Sequence, residues 1–272
     1  MTTTHKRGVL VAVANPEGVA PLIAIALAAS DQDVPPRVLA LVRQTGGGAG
    51  SKPPGAQPDA PPPSAALSAA IEYAHARGIT IDAQAVWSND PAHDIITIAN
   101  SARVAWILLG YHRAASGGDT LGGVVREVLI KAKGSPISVG VFIQVTDRPF
   151  ERVYAAIDAG PDGRAALDLG VRVAQKYRCK LRALLLSNDV LSISSTEPDA
   201  ALVDMIHDTR IRMKRLFHTD VLTQRSRQQL FRQSPGRLLI VGKKFADEIG
   251  LPLDEVPEGD RCLIVVQGPH PE

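Results

Sequence analysis

Aromatic residues make up only 4% of this 272-residue chain, and it has two cysteines, Cys179 and Cys262. So few aromatics leave little for the interleaved stacking platforms of single-stranded nucleic acid binders. Two cysteines do not make a secreted disulfide framework, and a zinc site needs clustered ligands that they do not supply. Two buried, reduced thiols are expected, and no metal. Long hydrophobic runs are missing too. The longest apolar stretch, GVAPLIAIALAA at 18–29, falls short of the roughly 20 residues of a membrane span. The opening MTTTHKRG has no apolar core after its basic residues, so it does not read as a signal peptide. A formal charge of +2 provides no global field for steering toward nucleic acid. A soluble, cytoplasmic chain without a nucleic-acid partner is the expectation.

What the chain does have is aliphatic mass. It is 45% hydrophobic, mostly Ala, Val, Leu and Ile, the mix of parallel strands buried on both faces beneath helices. GVLVAVA (8–14) is a short β-rich run ending at NPEG. There Asn15 reads as an N-cap, Pro16 as the first helical residue and Glu17 as an acid at the positive helix end. That helix is expected to reach Ser30, with a strand at 37–42. QTGGGAGSKPPGAQPDAPPPS (44–64) cannot bury enough apolar surface to offset its ordering entropy and reads as a flexible loop. A helix at 64–77 and a strand at 79–87 follow. Asp90 and Pro91 repeat the helix-start signal, and VAWILLG (104–110), a helix at 121–133 and a strand at 136–143 complete the series. Strands and helices alternating at this spacing predict right-handed crossovers and a doubly wound parallel sheet.

The pattern then begins again. RVYAAIDAGPDGRAALDLGVRVA (152–174) mirrors GVLVAVANPEGVAPLIAIALAA, with Ala14 answering Asp158. KLRALLL mirrors RVLALV, GRLLIVG (236–242) mirrors VAWILLG, and RCLIVVQG (261–268) mirrors the fifth strand. A repeat this long indicates two copies of one domain. The expected halves are 1–147, carrying the Gly/Pro loop, and 148–272, which is shorter.

LLGYHRAASGGDTLGGVVREVL (108–129) places five glycines, His112 and two arginines between a strand and a helix. Ligands of open parallel sheets lie outside the carboxyl ends of the strands. Glycines there allow close backbone approach, and free amides at a helix start attract anions. His112 and Arg113 could add charge-assisted contacts. The residues alone fit two readings, a phosphate cradle or ordinary turn and cap chemistry.

These features resemble a known family. Gly110, two residues, Arg113, nine residues, then Gly123 and Val124 is similar to the universal stress protein signature of glycine, two residues, glycine, nine residues, then glycine with Ser or Thr. Two of the three glycine positions match. NDPAHDIITIANSARVAWILLG is also family-like. The chain therefore resembles two universal stress protein domains in tandem. The resemblance implies two Rossmann-like, doubly wound five-stranded sheets packed as a pseudo-dimer, with 137–142 meeting 262–267 across a pseudo-twofold axis.

In nucleotide-binding members the signature loop holds ribose and phosphates, and the first strand ends in Asp. Here that position is Ala14 in the first half and Asp158 in the second, where Gly242 is kept but the glycine loop is not. The resemblance thus places ligand contacts at Val13, Ala14, Asn15, Val42, Gly110, His112, Arg113, Gly122, Gly123, Val124 and Val125. It adds Asp158 and Gly242 in the second half. The implied ligand is ATP, AMP or a cyclic nucleotide or dinucleotide, none of them an obligatory cofactor. The first half is the better candidate. VAVANPEG with LLGYHR…LGGVVREVL further resembles the cytosolic C-terminal region of bacterial cation:proton antiporters and, less closely, of amino-acid permeases. That implies a regulatory domain partnered with a transporter's membrane part at the inner face of the membrane, and a homodimer. Two rival readings are a free-standing tandem stress protein and a non-binding oligomerisation domain.

The stretch 209–233 carries seven Lys/Arg and a single Asp. It reads as the exposed face of a helix and a following loop, either simply solvated or set against anionic lipid or a transporter. No GxSxG elbow, HExxH pair or Walker-type GxxxxGK[ST] occurs, so no catalytic residues are assigned.

Overall fold

The computed structural model describes residues 8–43, 61–110, 123–143, 150–186, 200–222, 236–248 and 262–269. The first half runs β1 (Gly8–Val13), α1 (Val19–Ala29), β2 (Arg37–Arg43), α2 (Ala65–Ala76), β3 (Asp82–Ser88), α3 (Pro91–Ser101), β4 (Val104–Gly110), α4 (Gly123–Lys131) and β5 (Ser138–Ile143). The second runs β6 (Arg152–Ile157), α5 (Pro161–Tyr177), β7 (Lys180–Leu186), α6 (Ala200–Met213), β8 (Phe217–Leu222), β9 (Arg237–Gly242), α7 (Lys243–Glu248) and β10 (Cys262–Gln267).

All ten strands form one sheet in the order β3-β2-β1-β4-β5-β10-β9-β6-β7-β8. Read outward from the centre, each half has the same order. Every pairing is parallel except β5 with β10, which is antiparallel and puts Val141 opposite Val265. The fifth strands thus meet as the family resemblance implies, fusing the two five-stranded sheets into one. β1 shows why the pattern reads as parallel sheet. Val9, Val11 and Val13 are buried toward α1 and α2, while Leu10 is fully buried in the opposite layer with Leu39, Ile95 and Ile107. Both faces are covered, so the strand is apolar throughout.

The halves also share a helical layer. Arg172 of α5 donates to the Ala29 carbonyl at the end of α1 at 3.0 Å, and lies 3.3 Å from Asp31 and 3.1 Å from Asp168. On the other face, the buried Gln267 amide donates to the Leu129 carbonyl of α4 at 2.9 Å. Cys179 is buried as a free thiol, and burial pushes its pKa up.

Local chemistry sets the element ends, with small departures from the sequence pattern. Asn15 accepts from the Glu17 amide at 3.2 Å, but it caps a 3-10 turn at Pro16–Gly18, and α1 proper begins at Val19. Ser64 and Asp90 cap α2 and α3 through the amides of Leu67 and His93. β3 starts at Asp82, not 79, because Gly78 turns at φ +63 and the Ile79 amide closes α2 on the Ala74 carbonyl. A larger departure lies within 209–233. The residues after α6 form not a loop but β8, an edge strand paired with β7. Its exposed His218 and Asp220 give it a polar appearance that buried strands lack. Residues 223–233 and most of the 44–64 loop lie outside the described residues.

Candidate functional site

In an open parallel sheet a crevice forms where neighbouring connections leave on opposite faces. Here that place is between β1 and β4. The chain passes from β1 through α1 on one face and from β4 into α4 on the other. At the carboxyl ends of these strands lies a cavity of about 330 Å³. Its walls are Ala12, Val13 and Ala14 from β1 and its exit, Leu39 and Leu41 from β2, and Leu109 and Gly110 from β4. Pro91 and Ile95 of α3 and Gly123, Val124 and Val125 of α4 close it.

None of these lining residues has a polar side chain, so polar contact has to come from the backbone. The start of α4 borders the cavity, where amides of a first helical turn have no partner within the helix. The start of α3 also reaches it, but there the Asp90 carboxylate already accepts the His93 amide at 3.0 Å. That bond, with help from Lys131 at 3.6 Å, holds Asp90 below the ordinary carboxylate range. The result is an apolar slot with helix amides at its rim. Such a slot suits a flat heteroaromatic ring with an anionic tail, and the volume sits at the small end of ligand pockets.

Six of the expected residues, Val13, Ala14, Gly110, Gly123, Val124 and Val125, line this one cavity. His112, Arg113 and Gly122 lie outside the described residues. Asn15 is not a lining residue, and its side chain caps the Pro16 turn. Val42 does not line the cavity, whereas its neighbour Leu41 does. Side chains alternate across a strand, so an error of one residue selects the wrong face. Ala12, Leu39, Leu41, Leu109, Pro91 and Ile95 were not foreseen. Strand parity and the i, i+4 spacing of 91 and 95 were the usable signals.

Asp158 and Gly242 lie at the corresponding strand ends of the second half, and the arrangement there is different. β9 ends at Gly242 and α7 begins at Lys243 with no intervening loop. Asp162, only 6% exposed, accepts the Lys244 amide at 3.0 Å and the Gly268 amide at 2.8 Å. A protein carboxylate thus takes an amide at the start of α7, the helix that follows β9 as α4 follows β4 in the first half. Asp158 accepts the Gly160 amide at 2.6 Å. A Cβ on Gly163 would clash with the Asp158 backbone, and one on Gly242 would stand 3.1 Å from Asp162. The residues present fit an anionic ligand in the first half and not in the second.

A wider groove, about 800 Å³, runs between the halves over Trp106 and Ser138 and along α5 at Arg164 and Asp168. It lies toward the amino ends of β4 and β5, and Asp168 is committed to Arg172. Among the described residues no cluster of three or more His, Cys, Asp or Glu could hold a metal ion. No helix of the described residues is long and apolar enough to cross a membrane.

The sequence matches no protein-family model and no curated protein. Solved structures nevertheless share its fold along nearly its whole length. The cytoplasmic domain of a prokaryotic cation chloride cotransporter superposes with a TM-score of 0.57 at 11% identity, covering 98% of this chain and 97% of that one. A putative universal stress protein from Pseudomonas aeruginosa gives 0.54 at 14% identity, covering 97% and 94%. A universal stress protein from Archaeoglobus fulgidus gives 0.53 at 16% identity, covering 97% of each chain. The chain therefore has the α/β fold seen in universal stress proteins and in a transporter's cytoplasmic domain.

Proposed function

We propose that this chain is a cytosolic regulatory domain of a membrane transporter, of cation:proton antiporter type, that binds an adenine or related signalling nucleotide. It is read as two stress-protein-like domains, 1–147 and 148–272, with one working pocket. The observation that carries this reading is the 330 Å³ apolar cavity at the ends of β1, β2 and β4, bordered by the start of α4. The base would enter between Ala12–Ala14 and Leu39–Leu41, and the phosphates would face Gly110 and Gly123. Support for the transporter setting comes from the cotransporter cytoplasmic domain, whose fold matches across both halves. Catalysis is not part of the reading, since no nucleophile–base pair lines the cavity. Binding would control transport only to the extent that the ligand favours one arrangement of the halves over another. Self-association into a homodimer would need another surface, since β5 and β10 already pair with each other.

The test is a thermal-shift and titration panel of ATP, AMP, cyclic AMP and cyclic dinucleotides. Ligand at 100 times its dissociation constant stabilises by about 2.7 kcal/mol. At least one member should raise the melting temperature, and Gly123→Asp, which sets a carboxylate at the proposed phosphate position, should abolish that rise without unfolding the chain. If no nucleotide shifts the wild-type protein, the oligomerisation reading takes its place. An unchanged shift in the variant moves the pocket elsewhere.

A further inference from the structure

The end of α6 and the turn after it carry a surface that the nucleotide reading does not use. Arg210, Arg212, Lys214 and Arg215 are all exposed there, within six consecutive residues. Among them stand two aliphatic side chains also open to solvent, Ile211 at 60% exposed and Leu216 at 38%. The backbone helps to build the patch. Lys214 adopts φ +49, which ends the helix, and the 3-10 turn Lys214–Leu216 carries Arg215 and Leu216 beyond its last turn. Met213 and Phe217 are buried and anchor the turn on both sides.

None of the four cations is in an ion pair among the described residues. The one acid of the neighbouring strand, Asp220, is already bound to Arg182 at 2.8 Å. Cations near a helix end complement its dipole, and that alone would explain charge there. It does not explain two exposed aliphatic side chains among them. Burying Ile211 and Leu216 while the cations stay at a polar boundary requires a partner that is anionic on its face and apolar just beneath. A bilayer rich in anionic lipid has that layering. Single-stranded nucleic acid fits less well, because Phe217, the aromatic in this turn, is buried and cannot stack.

We propose that the α6–β8 turn, Arg210 to Leu216, docks the protein on an anionic membrane surface. β8 is an outer strand of the sheet, and β1 lies seven strands away in the order. At roughly 4.8 Å per strand this sets β8 about 34 Å from β1, leaving the first-half cavity free while the patch is engaged. The proposal stands without the nucleotide reading.

The experiment is co-sedimentation of the full 272-residue chain with vesicles of phosphatidylcholine containing phosphatidylserine, against phosphatidylcholine alone. The protein should partition onto the anionic vesicles only, and added salt should release it. Replacing Arg210, Arg212, Lys214 and Arg215 singly by Gln should weaken partitioning about fivefold each, and all four together should abolish it. Ile211→Ser and Leu216→Ser should weaken it with every cation in place, which a purely electrostatic contact would not show. Equal partitioning onto both vesicle types, or unchanged partitioning of the quadruple variant, would overturn the proposal. So would capture of poly-glutamate or RNA without any preference for anionic vesicles. A melting curve checks that each variant is folded, and the salt dependence of the wild-type chain decides the matter should the quadruple variant unfold.

Discussion

Two short segments occupy the same place in the repeat and do opposite things. In the first half Pro16-Glu17-Gly18 follows β1; in the second Pro161-Asp162-Gly163 follows β6. The first is an outward 3-10 turn. Glu17 is exposed, and a Cβ on Gly18 would meet nothing within 4 Å. The second is folded in over the strand ends. Asp162 is buried and binds two amides from distant segments, and Gly163 packs directly on Asp158. Where the segment points outward, the strand ends keep a cavity with helix amides at its edge. Where it points inward, a carboxylate of the protein meets the amides that an anion would have used. The two halves share one strand order, and the strand ends differ in whether a cavity stays open.

The largest expected effects come from exchanging these two segments' behaviour. Asp162→Ala strands one buried and one part-buried amide, a loss of about 2–3 kcal/mol, whereas Glu17→Ala should stay within about 0.5 kcal/mol of wild type. Urea unfolding of the pair checks this, and equal costs would erase the distinction between the halves. Gly163→Ala should cost about 1–3 kcal/mol or more by overpacking. Gly18→Ala should be neutral or stabilise by about 0.5–1 kcal/mol, because its φ of −88 suits any residue.

A smaller effect sharpens the comparison at the ligand level. Ala14→Trp, at an exposed lining position, should block nucleotide binding while leaving the melting temperature within a few degrees. Substitution of Asp158, its counterpart, should leave binding unchanged. Loss of binding from the Asp158 change would place the ligand in the second half.

The smallest effect concerns the helical layer the halves share. Burial pushes the Tyr177 hydroxyl from 10.0 up to about 12, and its ring packs edge-on against Phe150 at 5.3 Å. A folded-state pKa above the unfolded one means a contribution fully present below pH 10 and lost as pH rises toward 12. Unfolding midpoints should therefore fall between those values, and Tyr177→Phe should flatten the fall. An unchanged pH profile in the variant would show that Tyr177 is not the group responsible.

These contrasts also explain what was legible in the sequence. The sheet could be read because β1, β4 and β9 are apolar on both faces, a pattern that depends only on local composition. The meeting of β5 and β10 followed from the family resemblance. β8 escaped notice because an edge strand can carry exposed His218 and Asp220. The cavity was legible at Gly110 and Gly123 through their places at strand and helix ends and at Ala14 through the family resemblance, but Leu41 was displaced to Val42 by strand parity. Asp162 carried no sequence signal that set it apart. Its partners Lys244 and Gly268 are 82 and 106 residues away, and nothing local announces them.

The most direct test of one open and one closed strand end is binding stoichiometry by isothermal titration with whichever nucleotide raises the melting temperature. One nucleotide per chain, lost in Gly123→Asp and kept in a variant of Asp158, is the predicted result. Two per chain, or one that survives Gly123→Asp, would contradict it.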